Sequence, residues 1–74
     1  MERVRVEVRE DPIRLGQFLK LAGAVGAGGE VKDLLASGLV TVNGEVEVRR
    51  GRQLRPGDQV TVAQTTYTVV PHAE

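Results

Sequence analysis

Residues 38–52, Gly38-Leu39-Val40-Thr41-Val42-Asn43-Gly44-Glu45-Val46-Glu47-Val48-Arg49-Arg50-Gly51-Arg52, hold the pattern that decides the fold. Val40 and Val42 precede Asn43-Gly44, and Val46 and Val48 follow it. Such a pattern spells two short strands folded on a tight turn, because Asn and Gly tolerate the positive φ that hairpin turns demand. Arg49, Arg50 and Arg52 come directly after. A small rigid hairpin running into arginines gives their cations a fixed direction, and guanidinium groups form bidentate hydrogen bonds to phosphate and stack on bases.

Two registers are open to the hairpin. A two-residue Asn43-Gly44 loop sets Val40 opposite Glu47 and Val42 opposite Glu45, mixing apolar with charged side chains. A three-residue loop ending at Gly44 pairs Thr41 with Glu45 and Val40 with Val46. It gathers Val40, Val46 and Val48 on one face and leaves Glu45 and Glu47 in water, so burial favours this bulged register.

Downstream, Leu54-Arg55-Pro56-Gly57-Asp58 reads as a type II turn with Pro and Gly at its central positions, leading into the strand Gln59-Val60-Thr61-Val62. Thr65 to Val70 supplies a last strand, ended by Pro71. Upstream, Val4, Val6 and Val8 alternate with Arg3, Arg5, Glu7 and Arg9, the period of a half-buried strand. Asp11-Pro12 ends that strand and reads as a helix start, with Asp as N-cap and Pro at the first helical position. Leu15, Phe18, Leu19 and Ala22 then share one face of a helix running from Ile13 or Arg14 to about Ala22. Gln17 and Lys20 lie on the opposite face, with Arg14 at its flank. Gly23 stops this helix. After a small-residue connection a second helix is expected from about Gly29 to Ser37, with Val31, Leu34 and Leu35 inward and Gly38 as its stop.

A chain of 74 residues has room for one core and is expected to be one domain. Domains of this size bury only roughly 60% of the surface their unfolded chain exposes, so the Val/Leu core carries the stability. The absence of cysteine excludes disulfides, thiolate zinc sites and a cysteine nucleophile, and His72 alone cannot build a metal site. No nucleophile–base set, paired apolar-sited carboxylates or nucleotide fingerprint occurs, so no catalysis, cofactor or small-molecule substrate is expected. The first ten residues lack the apolar core of a signal peptide, and no apolar run is long enough to span a membrane; the expected compartment is the cytoplasm.

Basic and acidic residues balance at 10 each, so any attraction for a polyanion must come from a local patch. Between Arg14 and Arg55 cations are in excess, whereas Glu2, Glu7, Glu10, Asp11 and Glu74 lie toward the ends. Phe18 reads as core, which leaves Tyr67 as the remaining aromatic. The stacking platform of a single-strand binder is therefore lacking, and recognition should read shape and backbone.

The order of two helices, hairpin, Pro-Gly-Asp turn and strand resembles an S4-type RNA-binding domain, in particular the small stand-alone bacterial S4-like proteins. The resemblance is carried by Arg14-Leu15-Gly16-Gln17-Phe18-Leu19-Lys20, Gly28-Gly29-Glu30-Val31-Lys32, Gly38 to Gly44, and Leu54-Arg55-Pro56-Gly57-Asp58-Gln59-Val60, spanning residues 13 to 62. It implies an α+β fold in which two helices pack on a small, mainly antiparallel sheet extended by the N- and C-terminal strands. It also implies a non-enzymatic module that binds structured RNA, with ribosomal RNA or a ribosomal subunit as the expected partner. Carried onto this chain, Arg14 opens the first helix, Lys32 is the basic residue of the second, and Asn43-Gly44 is the turn beside the binding surface. Arg49 follows the hairpin, and Arg50 and Arg52 fit the stand-alone subgroup. The expected RNA contacts are thus Arg14, Gln17, Lys20, Lys32, Asn43, Arg49, Arg50 and Arg52, with Arg49 and Arg50 exposed. One departure stands out: many such domains carry Ser-Arg where this chain has Ala27-Gly28, and the amides of the glycine-rich helix start are the expected partial substitute.

Two other classes share features. Ubiquitin-like sulfur carriers also contain a Val-Asn-Gly-Glu hairpin and a Leu-x-x-Gly-Asp-x-Val turn, but they need a C-terminal Gly-Gly where this chain reads Pro71-His72-Ala73-Glu74. A protein-interaction or assembly module, with the basic patch meeting an acidic partner, is the other alternative.

Overall fold

The valine alternation at the start of the chain produces β1 (Glu2–Val8), with Val6 and Val8 buried and Arg3, Arg5 and Glu7 exposed. The computed structural model describes residues 2–25 and 30–72. Next come β2 (Ile13–Arg14), α1 (Leu15–Leu21) and α2 (Glu30–Ala36). They are followed by β3 (Val40–Val42), β4 (Glu45–Val46), β5 (Gln53–Leu54), β6 (Gln59–Val62) and β7 (Thr65–Pro71). The main sheet is 5-stranded in the order β1-β7-β6-β3-β4. β1 runs parallel to β7 and the remaining pairs are antiparallel. This is the α+β arrangement expected, with the first and last strands extending the hairpin sheet.

Register places Val42, Val60, Tyr67 and Val4 side by side across β3, β6, β7 and β1. Val40, Val42, Val60 and Val69 are fully buried on this face. The apolar stripe of α1 completes the core with Leu15, Phe18 and Leu19, and α2 adds Val31 and Leu35. Leu34 and Ala22 are half-buried at the margin. Gly23 and Gly38, both at positive φ, follow α1 and α2 as the stops read from the sequence. Gly57, at φ 99°, and the Asp58 N–H donating to the Arg55 carbonyl at 3.0 Å close the Pro-Gly turn as expected.

The structure corrects the start of the first helix. Asp11 does not cap it: Ile13 and Arg14 are extended and pair with Leu54 and Gln53 in a 2-stranded ribbon, and α1 begins at Leu15. Ile13 and Leu54, opposite each other in the ribbon, are both buried, so the ribbon contributes apolar burial to the core. This β2–β5 ribbon carries no alternation long enough to be seen in the sequence. At the C-terminal end Pro71 belongs to β7, opposite Val8, where its missing N–H is tolerated. The expected helical residue Gly29 lies outside the described residues, and Ser37 falls just beyond α2.

The hairpin register is also corrected. Thr41 pairs with Val46 and Val42 with Glu45, so the loop is the two-residue Asn43-Gly44 turn. Asn43 (φ 52°) and Gly44 (φ 90°) both adopt the left-handed conformation, which matches the twist of the flanking strands. As a consequence Val46 and Val48 face solvent and Glu47 is buried. Turn geometry has outweighed the burial of two valines, and the carboxylate turned inward is satisfied locally.

Candidate functional site

Glu47 organises the segment after the hairpin. Its Oε2 accepts from the backbone N–H groups of Val48 and Arg49 and from Arg49 Nε, each at 3.1 Å. Its Oε1 accepts from Arg49 Nη2 at 3.1 Å and from Arg52 Nη1 at 3.0 Å. The Arg49 side-chain bonds, then its backbone N–H and the Arg52 guanidinium, stabilise the charged form. Against the opposing effect of burial they hold the Glu47 carboxyl down at about 2. Glu47 in turn raises Arg49. The Arg52 N–H donates to the Arg49 carbonyl at 3.2 Å and closes the turn.

This turn docks on the start of α1. The Leu15 N–H donates to the Arg52 carbonyl at 2.8 Å and the Gly16 N–H to the Arg50 carbonyl at 2.9 Å. Backbone donors that a helix start leaves without intrahelical partners are thereby met by the loop rather than by a capping side chain. The approach needs Gly16: a Cβ there would lie 3.3 Å from the Arg50 Cβ and 3.5 Å from Val31 Cγ1.

Docking brings Arg50 to the rim of a cleft of about 390 Å³ floored by Gly16 and Val31. Arg14, Gln17, Lys20 and Lys32 line the same cleft. Each is placed by its element. Arg14 alternates with buried Ile13 in β2, Gln17 and Lys20 are three apart on the open face of α1, and Lys32 neighbours buried Val31 on α2. None of the described lining residues is acidic. Arg14, Lys20, Lys32 and Arg50 therefore form a cationic concavity suited to a polyanion, with Gln17 as a neutral hydrogen-bonding group between them.

The remaining expected contacts stand apart from this cleft. Arg49 and Arg52 are engaged with Glu47, although the Arg49 side chain remains 73% exposed. Asn43 serves its turn: its Oδ1 accepts from the Gln59 N–H at 2.9 Å, and its Nδ2 donates to Asp58 Oδ1 at 3.2 Å. Ala27-Gly28, the departure noted in the sequence, lies outside the described residues. Glu47 was missed by sequence reasoning; its spacing of two and five residues ahead of Arg49 and Arg52 was the available signal. Among the described residues no group of three or more His, Cys, Asp or Glu side chains is placed to hold a metal, and no helix is long and apolar enough to cross a membrane.

Comparison with known proteins adds independent findings. The model of a family described as the S4 domain matches residues 6–70. A probable ribosome maturation protein RlbA of Bacillus subtilis (strain 168) is 44% identical over 57 residues, which cover 77% of this chain and 80% of that protein. No solved structure matches.

Proposed function

Because the chain belongs to the S4 domain family, we propose that it is a non-enzymatic RNA-binding protein that holds the phosphate backbone of folded RNA, with ribosomal RNA as its target. One observation carries the reading: Arg14, Lys20, Lys32 and Arg50, drawn from four separate segments, converge on one cleft that no described acidic side chain lines. Cations converging from distant parts of a chain with no net charge suit a folded polyanion better than they suit general solubility. The similarity to a probable ribosome maturation protein supports a ribosomal target and a role in maturation of the ribosome. Arg49 and Arg52 are assigned to shaping the loop and Asn43 to its turn; neither cofactor nor small-molecule substrate enters this function.

Fluorescence anisotropy with a structured ribosomal RNA hairpin and a matched single strand, titrated across salt, tests the proposal. Neutralising about four phosphates predicts a log–log salt slope of roughly −3 to −4 and tighter binding of the folded RNA. Arg14→Ala combined with Lys32→Ala should flatten the slope by roughly 1.4 to 1.8 while the melting midpoint stays in place. A flat salt response, or no preference for the hairpin, overturns it. A protein-assembly reading is favoured by a different observation: Leu39, Val46 and Val48 are 56%, 63% and 59% exposed, and Val46 lies on the solvent side of the hairpin. Absence of binding to either RNA would move the assignment to that surface.

A further inference from the structure

Glu47 is an acidic side chain wired into the cationic segment, and simple electrostatics assigns it an inhibitory effect on polyanion binding. The connections around it point the other way. Its carboxylate ties the backbone at Val48 and Arg49 to the guanidinium groups of Arg49 and Arg52. The turn so formed offers the Arg50 and Arg52 carbonyls to α1, at 2.9 and 2.8 Å from Gly16 and Leu15 nitrogens. Arg50, inside that turn and bonded through its carbonyl to the helix, lines the cleft, and its side chain makes no hydrogen bond or ion pair among the described residues.

We propose that Glu47 is a positioning residue for RNA: by holding Arg49 and Arg52 it sets Arg50 as the loop's phosphate ligand and withholds its two neighbours from the RNA. This rests on the RNA-binding reading above. Fixing a turn before the ligand arrives removes the ordering cost that a free three-arginine loop would meet on binding. It also sets how many loop cations the RNA can engage.

The test compares the unaltered protein, Glu47→Gln, Arg50→Ala and the double variant by anisotropy on the ribosomal RNA hairpin over a salt series. Each is measured below its own melting midpoint. Glu47→Gln removes a negative charge yet is expected to bind roughly tenfold more weakly, the scale of one charge-assisted contact. Arg50→Ala should lose a similar amount, and the double variant no more than either single one, since both act through one contact. Tighter or unchanged binding by folded Glu47→Gln, or losses that add in the double variant, overturns the inference and leaves the RNA-binding reading standing. Failure of the unaltered protein to bind overturns both. A second measurement does not depend on any variant folding: arginine Nε–H NMR of the unaltered protein should show RNA shifting the Arg50 signal and leaving Arg49 in place. Movement of the Arg49 signal in place of Arg50 overturns the proposal.

Discussion

Glu47 shows how one residue can be both core and loop. It is 6% exposed, yet its oxygens are met by backbone N–H groups and two guanidinium groups. An inward carboxylate is tolerated on those terms. Its carboxyl sits at about 2 against an ordinary value of 4.5, held there chiefly by the Arg49 side chain. A group lowered on folding stabilises the folded state above its unfolded value, and that stabilisation is lost as pH falls through the folded one. Stability should therefore decline between about pH 4.5 and pH 2, and Glu47→Gln should remove part of that decline. Urea denaturation of both proteins at neutral pH and across this window measures it. Near pH 7, Glu47→Ala should cost about 2 kcal/mol, because the exposed Arg49 left behind can be solvated.

At the scale of elements, the start of α1 depends on a distant loop. The carbonyls of Arg50 and Arg52 take the place that the sequence suggested for Asp11, and the close approach is possible because residue 16 has no side chain. Gly16 is not at positive φ, so space is the requirement. Ala at this site gains up to about 1 kcal/mol of helix propensity against a tight contact, and the two effects oppose. Val leaves no such balance: Gly16→Val should destabilise by about 1–3 kcal/mol and weaken RNA binding, because the Arg50 loop must lift from the helix. Lys20→Ala serves as the control, with affinity reduced and the melting midpoint retained. Thermal melting and anisotropy on the same samples separate the two outcomes.

Across the whole molecule, the parallel pairing of β1 with β7 makes the sheet a closed account of both ends of the described chain, and one core cluster links it to both helices. Proteins of this length have roughly 4–11 kcal/mol of stability in all. Phe18 is fully buried in that cluster, and Phe18→Ala should cost about 3–5 kcal/mol. The variant should therefore melt far earlier, or without a cooperative transition, in calorimetry. With a formal net charge of 0, the molecule as a whole has no pull on RNA, so under the proposed function attraction is local to the cleft and sensitive to salt.

By itself the sequence determined the helical stripes, the valine strands and the Pro-Gly turn, since periodicity and turn chemistry are local properties of neighbouring residues. It also supplied Arg14, Gln17, Lys20, Lys32 and Arg50, whose convergence on one cleft follows from the packing of α1, α2 and the post-hairpin loop. Tertiary structure alone decided which arginines face that cleft. The hairpin register turns on a contest between the backbone preference of Asn43-Gly44 and the burial of Val46 and Val48. The contest is settled only when Arg49 and Arg52 can satisfy Glu47. The β2–β5 ribbon and the capping of α1 by Arg50 and Arg52 join residues about 40 positions apart, where short-range patterning carries no signal.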